Sequence, residues 1–149
     1  MIRKITSSLL FIIIIIPTYS QKAGHGTLAI KFTGMQNNVG AIAIGINSSD
    51  QGWPRKPQLE FRWKKTNSNE GILMAAIEDL PFGTYAISAL DDENGNLEMD
   101  MILGVPREGF GFSNNPPIRF KTPSYESCAF KFEQPHMEII IELNYMGKE

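Results

Sequence analysis

Large apolar residues recur at every second position through most of the chain after residue 27, and this period of two most constrains the fold. It is clear in 28–32 and in 42–46, where Leu, Ile and Phe alternate with small or polar residues. Successive side chains of a β-strand point to opposite faces, so the pattern is typical of strands with one buried face. The same alternation returns in 59–64, 72–76, 85–89, 130–132 and 138–145. Asn, Gly and Pro separate these segments, which predicts an all-β chain, an antiparallel β-sandwich of about seven strands.

The first twenty residues have the features of a signal peptide. Arg3 and Lys4 precede an unbroken apolar run over 9–16, and Pro17 ends that run. The run is too short to span a bilayer, and small residues follow it where a signal peptidase cleaves, before Gln21. We therefore expect export to the periplasm or the extracellular space. The remaining 21–149 has the length of one domain, which we expect to be monomeric and not membrane-spanning.

Charge and cysteine content exclude some function classes. The whole chain carries a net charge of −2, which makes nucleic acid an unfavourable partner. Cys128 is the only cysteine, so an internal disulfide is excluded. It lies among Ala and Phe residues, and we expect a buried, unreactive thiol.

Three irregular segments interrupt the alternating pattern. They are a Pro/Gly loop at 48–58 that contains Trp53, an acidic loop at 91–100 and a Gly/Pro/Asn segment at 103–117. Long ordered loops in small domains are often functional. The search for a site therefore starts with the last two, which are nearly contiguous.

The acidic loop, DDENGNLEMD, has oxygen-bearing side chains at alternate positions, as in loops that wrap around a cation. Hard oxygen ligands in a flexible loop suit Ca²⁺ better than Mg²⁺, and no His or thiolate is near to favour zinc. The candidate ligands are four side chains, one backbone carbonyl and a carboxylate from the next loop: Asp92, Asn94, Asn96 and Asp100, then Glu98, then Glu108.

Two positions depart from the EF-hand pattern. Leu97 stands at the sixth position, where an EF-hand has glycine, and Leu103 stands at the twelfth, where it has a bidentate Glu. Asp91 and Glu93 are expected to be outer charges that do not ligate. The alternative interpretation is an Asn-Gly hairpin turn surrounded by solvated acids.

A Pro-x-Gly turn enters the strand that leads to this loop, in LPFGTYAI at 80–87. The hydroxyl of Tyr85 can tie this strand to a neighbouring loop. The entry resembles that of a late strand in prealbumin-like and collagen-adhesin B-type sandwiches, and a corner of immunoglobulin domains.

The longer string LPFGTYAISALDDENGNLEMDMILGVPREGFGFSNN resembles the uncharacterised bacterial family known as domain-of-unknown-function family 2141. The resemblance runs from Leu80 to Phe130 and implies an exported β-sandwich with no assigned activity. Asp91 stands where members often have His, and Leu97 where they often have Gly. The second departure concerns the cation site.

The remaining candidate residues give weaker indications of a function. His25, His136 and Ser113 lack the setting of a catalytic nucleophile or base. The rings of Phe110 and Trp53 are suited to stacking on a ligand or to packing in the fold. The basic stretch 55–65 either balances the acidic loop or faces an anionic polymer.

We therefore expect an exported, non-enzymatic β-sandwich that binds Ca²⁺ in the 92–100 loop. The adjacent Gly/aromatic loop would be presented to a cell-envelope protein or glycan. The alternatives are a metal-free structural or interaction module, and an envelope hydrolase that uses Asp100 and Glu108.

Overall fold

The computed structural model of the protein describes residues 24–119 and 121–146, without the side chain of Asn67. The predicted signal peptide at 1–20 lies outside the described residues. Among these residues the regular structure consists of ten strands, one short α-helix and a 3-10 turn at Lys65–Asn67. The strands and the α-helix are β1 (His25–Thr33), β2 (Ala41–Asn47), β3 (Leu59–Lys64), β4 (Leu73–Pro81), β5 (Gly83–Asp92), β6 (Met101–Ile102), β7 (Val105–Pro106), β8 (Gly109–Phe112), α1 (Tyr125–Cys128), β9 (Phe130–Phe132) and β10 (His136–Glu142).

The strands form two main sheets and one small hairpin. The first sheet has the order β10-β1-β4, and the second has the order β3-β2-β5-β8 with β9 also paired to β5. β6 and β7 pair with each other as a separate hairpin. The predicted all-β fold is confirmed. The strand count is higher than about seven because the chain also forms strands of two or three residues, β6, β7 and β9.

One pairing differs from the expected antiparallel pattern. β1 and β10 are parallel, from Thr27 opposite His136 to Thr33 opposite Glu142. All the other strand pairs are antiparallel among the described residues. A parallel pair needs a long connection, and here the two strands stand near opposite ends of the described chain.

The hydrophobic core is built from both main sheets. Leu28, Ile30 and Phe32 of β1 are fully buried, and they belong to one cluster with Ile42 and Ile87 of the second sheet. The alternation in the sequence is therefore the alternation between core and outer face. Burying a side chain of this size stabilises the fold by about 1.5–3 kcal/mol.

The outer face of the second sheet carries unusually small side chains in its middle. Ala41, Ala43 and Gly45 alternate with the core isoleucines of β2. Pro57 lies so close to Gly45 that a β-carbon there would stand 2.9 Å from it. Longer side chains stand on the neighbouring strands. The outer face therefore has a depression along the middle of β2.

The corner before β5 is closed by Tyr85. Its hydroxyl donates a 2.9 Å hydrogen bond to the carbonyl of Pro81, at the end of β4. The expected tie therefore reaches back across the turn at 81–83. Burial also raises the pKa of the Tyr85 hydroxyl, so it remains a donor at neutral pH.

Replacing Tyr85 with Phe is expected to destabilise the fold by about 1–2 kcal/mol, because the Pro81 carbonyl loses its partner. Urea denaturation monitored by circular dichroism measures the change. Tyr125→Phe is the matched control, because its exposed hydroxyl makes a longer contact of 3.4 Å to Thr84. Equal stability losses in the two variants would contradict the role given to the Tyr85 hydrogen bond.

Candidate functional site

The acidic loop begins at Asp92, the last residue of β5, and winds around its carboxylate. Oδ1 of Asp92 accepts hydrogen bonds from the backbone amides of Gly95 (2.8 Å) and Asn96 (3.1 Å). The side chain is fully buried. The first predicted ligand therefore also organises the backbone of the loop.

The other alternate residues converge on Asp100. Asn94 donates its side-chain amide to one carboxylate oxygen of Asp100 (2.6 Å), and Asn96 donates to the other (3.2 Å). The side-chain oxygens of both asparagines turn back to the loop, onto the amides of Asn96 (2.9 Å) and Glu98 (2.8 Å). The structure thus brings together Asn94, Asn96 and Asp100, as the alternate spacing predicts. Their amide nitrogens, and not their oxygens, face the carboxylate and donate hydrogen bonds to it.

Leu97 makes the turn that glycine makes in an EF-hand. Its φ is 62°, in the left-handed region, and its side chain is 57% exposed. For an L-residue this conformation costs about 1–2 kcal/mol. Leu97 therefore makes the left-handed turn at the expense of backbone strain.

Arg62 from β3 supplies the positive charge next to Asp92. Its guanidinium nitrogen lies 2.9 Å from Oδ2 of Asp92, and the side chain is 43% exposed. Oδ2 is buried and lacks a hydrogen bond of good geometry. A half-exposed cation therefore stands against a buried carboxylate oxygen, and part of the basic stretch does balance the acidic loop.

Glu108 contacts the acidic loop, as expected, but its carboxylate binds backbone amides of that loop. One carboxylate oxygen accepts the amide of Glu93 (3.1 Å) and the other accepts that of Asp100 (3.3 Å). Burial raises the pKa of this carboxyl, and the amide bonds oppose the shift. The backbone amide of Arg107 also donates to the carbonyl of Asp100 (2.8 Å). The ends of the acidic loop are therefore held together from the segment before β8.

The last predicted ligand, Glu98, lies at the surface of the loop. The side chain of Glu98 is exposed, and its backbone amide is bonded to Asn96. Within 24–119 and 121–146, no group of three or more His, Cys, Asp or Glu side chains has the arrangement of a metal site. Any cation shell in this loop would have to include the asparagine and carbonyl oxygens.

Asp91 is not the outer charge that the sequence indicated. It is fully buried and forms an ion pair of 2.5 Å with the buried Lys65. The hydroxyl of Tyr145 donates a short hydrogen bond to its second oxygen (2.5 Å). Burial, followed by this hydrogen bond, strongly raises the pKa of Tyr145. Sequence reasoning missed this triad, because Lys65 follows another lysine in a segment that reads as solvated.

The Gly/aromatic segment forms β8 and packs closely on the first sheet. A β-carbon on Gly109 would stand 2.5 Å from the Tyr145 ring, and one on Gly111 would stand 2.6 Å from the Glu142 carbonyl. Phe112 is buried against Trp53, at 5.9 Å between ring centroids. Phe112 and Trp53 therefore hold the 48–58 loop on the sheet.

Ser113, Asn114 and Asn115 then connect three parts of the chain. Oγ of Ser113 accepts from the Ile87 amide (2.9 Å) and donates to the Cys128 carbonyl (2.6 Å). Asn114 donates to the carbonyl of Ala129 (2.8 Å). Asn115 donates to the Ile140 carbonyl and accepts from the Glu142 amide, so it caps the edge of β10. The role of this motif in the structure is to join β5, the α1–β9 region and β10.

A groove of about 1500 Å³ lies on the outer face of the second sheet. We call it the sheet-face groove. Its floor consists of outward residues of β2, β5 and β8, and its walls come from 54–62, 97–106 and the described residues of 118–123 (118–119 and 121–123), with Met146 at one side. The floor residues include Ala43, Gly45, Ser88, Leu90, Phe110 and Phe112. All three irregular segments seen in the sequence border it.

Most residues that line the groove are apolar, and its cationic side chains outnumber its acidic ones. Four cations and two acids contribute, and they are Arg55, Arg62, Arg119, Lys121, Glu60 and Glu98. On the 97–106 wall, Leu97, Met101 and Val105 are between 42% and 57% exposed. Several large apolar side chains therefore face solvent along one side of the groove.

Replacing Leu97 with Gly is expected to stabilise the fold by about 1 kcal/mol, because glycine adopts the left-handed conformation without strain. Urea denaturation measures the gain. Met99→Gly is the control, since Met99 lies outside the left-handed region and should lose stability. A loss of stability in Leu97→Gly would show that the backbone at 97 is unstrained.

Replacing Ser113 with Ala is expected to cost about 3 kcal/mol, because a buried amide and a buried carbonyl lose their shared partner. Thermal and urea denaturation measure the loss. Ser127→Ala is the control, because that exposed hydroxyl bonds within its own helical turn. A Ser113→Ala protein as stable as this control would contradict the joining role of Ser113.

Comparison with known proteins gives a family and no activity. No curated protein and no solved structure matches the chain. No helix among the described residues has the length and apolar character needed to cross a membrane. A family model described as "Uncharacterized protein conserved in bacteria (DUF2141)" matches residues 30–140. The match spans most of the chain, including the acidic loop, β8 and the Ser-Asn-Asn segment, and the protein belongs to this family.

Proposed function

We propose that the protein is an exported, non-enzymatic binding module that takes Ca²⁺ in the 92–100 loop and offers the adjoining 103–117 segment to a partner in the cell envelope. The observation that carries the proposal is the convergence of Asn94 and Asn96 on Asp100, in a loop that begins at Asp92 and whose sixth residue makes the left-handed turn. Export rests on the signal-peptide features of residues 1–20.

The charge balance of the loop favours a cation. Asp92 is paired with a half-exposed guanidinium, whereas Asp100 accepts hydrogen bonds from two uncharged side-chain amides. Both are weaker partners for a carboxylate than a divalent ion. Rotation of the Asn94 and Asn96 amides would turn their oxygens toward Asp100. Hard oxygen ligands of this kind match the preference of Ca²⁺.

A cation in this loop would also order the neighbouring hairpin. Asp100 is bonded through its backbone to Arg107 and Glu108, on the far side of β6–β7. Fixing Asp100 therefore fixes both ends of the hairpin. This couples the cation loop to the segment that would meet a partner.

A metal-free interaction module is the second candidate. It is favoured by the Arg62–Asp92 ion pair, which gives the loop a cation of its own. The hydrolase alternative is less well supported, because both oxygens of Glu108 accept backbone amides. A general acid needs a carboxyl that reaches its substrate.

Calcium titration followed by calorimetry and thermal melting tests the proposal. At a calcium concentration 100 times Kd, binding to the folded state alone should add about 2.7 kcal/mol of stability. The double variant Asp92→Asn, Asp100→Asn should lose this response while it remains folded. If millimolar calcium produces neither heat of binding nor a shift in melting temperature, the calcium proposal is wrong.

Arg62→Gln separates the two candidates. If calcium competes with the guanidinium for Asp92, the variant should bind calcium about tenfold more tightly, because a competing charge has been removed. Lys64→Gln is the matched control, since Lys64 is an exposed cation on the same strand. A destabilised Arg62→Gln protein with no calcium response would favour the metal-free module.

A further inference from the structure

The sheet-face groove has the shape and chemistry of a site for a lipid-like ligand. We propose that it binds a monomeric long-chain amphiphile with an anionic head group, such as a fatty acid carboxylate. This inference rests on the proposed function only in giving the protein a partner-binding face. It does not require calcium, and it names the partner by its chemistry.

The floor of the groove offers apolar surface and few hydrogen-bonding groups. It is the face of a sheet whose backbone amides and carbonyls are engaged in the pairings of β2 with β3 and β5 and of β5 with β8. Ala43 stands between Arg62 and Leu90 in the cross-strand row, and Leu90 stands beside Phe110. A hydrocarbon chain can lie along this row of the sheet without leaving polar groups unsatisfied.

Glycans and peptides fit this lining less well. Among the described residues that line the groove there is no Asp, Asn, Gln or His, the side chains that usually bond sugar hydroxyls. A peptide laid on the face of a sheet would bury its own amides away from any strand edge. A ligand whose body has no hydrogen-bonding groups avoids both costs.

The wall at 97–106 favours a flexible chain. It contributes Met99 and Met101, and Met146 adds a third methionine to the lining. Methionine side chains are unbranched and adapt to ligands of varied shape. The volume of about 1500 Å³ exceeds the roughly 300–1,000 Å³ typical of pockets for compact ligands. An elongated chain makes better use of such a groove.

The positive charges place the head group at the Trp53 end. Arg55 follows Trp53 in the same loop, and the indole of Trp53 bonds to the carbonyl of Pro123 (3.0 Å), which closes the 118–123 wall. Arg119 and Lys121 lie on that wall and are exposed. Arg62 is already paired with Asp92. The other three cations of the lining belong to the two segments that the Trp53–Pro123 bond joins. A carboxylate head group would bind among them, while its chain extends over the apolar floor.

Titration with sodium palmitate below its aggregation concentration, in buffer with chelator, tests the inference by calorimetry and tryptophan fluorescence. We expect saturable binding of one chain and a fluorescence change from Trp53. Hexadecyltrimethylammonium, with the same chain length and a cationic head, should bind at least tenfold more weakly. No palmitate binding, or equal binding of the two amphiphiles, would overturn the inference.

Variants locate the ligand in the groove. Ala43→Phe should fill the floor and weaken palmitate binding at least tenfold. The double variant Arg119→Glu, Lys121→Glu should remove the preference for the anionic head, whereas Lys131→Glu, an exposed lysine on β9, should not. Met101→Ser should weaken binding, whereas Met74→Ser should not, because the two methionines are similarly exposed (52% and 54%) and only Met101 lines the groove. Wild-type affinity in all the groove variants would exclude this site.

Two further outcomes keep this inference distinct from the calcium proposal. Palmitate binding that persists in the Asp92→Asn, Asp100→Asn protein supports the groove whatever the calcium titration shows. A calcium response without palmitate binding would leave the calcium proposal standing and reject the amphiphile. Cosedimentation with phosphatidylglycerol vesicles in the absence of monomer binding would assign the apolar wall to a membrane surface and overturn the inference.

Discussion

Two adjacent buried carboxylates at the end of β5 determine how the surrounding loops are arranged. Asp91 and Asp92 are both fully buried, and a buried charge is strongly unfavourable unless it is paired. Because neighbouring residues of a strand face opposite ways, one acid points between the sheets and the other points to the outer face. Lys65 and Tyr145 meet the first, while Arg62 and the amides of Gly95 and Asn96 meet the second. The acidic loop leaves the sheet from this fixed point.

The segment after the acidic loop holds the two sheets in register. Glycines at 109 and 111 allow β8 to approach the end of β10, and Phe110 exchanges backbone hydrogen bonds with Asn144. Ser113 and Asn115 then bond to β5 and to the edge of β10. An edge strand with free backbone groups is open to pairing with other chains, and Asn115 occupies part of that edge. Residues that resemble a binding motif in the sequence are thus largely used for joining strands.

Local patterns in the sequence predicted the strands and the convergence of the acidic loop. The alternation in β1 and β2 is the burial pattern, and the spacing of Asn94 and Asn96 brings both side-chain amides onto Asp100. Features that depend on strand order were not predictable. The Lys65–Asp91 pair joins residues far apart in sequence, and the parallel partner of β1 is β10. The groove likewise depends on small residues of β2 lying between longer side chains of β3 and β5, such as Arg62 and Leu90, which a strand-by-strand pattern does not reveal.

The 97–106 wall of the groove is held in place by the same acidic loop. β6–β7 is an isolated pair of two-residue strands, with Leu103 at its tip 99% exposed. A two-stranded hairpin has marginal stability by itself, so this wall relies on its attachments at Asp100, Arg107 and Glu108. Those attachments lead back to Asp92 through the asparagines that surround Asp100. A ligand that neutralises the loop would therefore stiffen the methionine wall, and a chain held by that wall would in turn favour the ordered loop. The two sites would then be linked reciprocally, since any coupling free energy acts equally on both ligands.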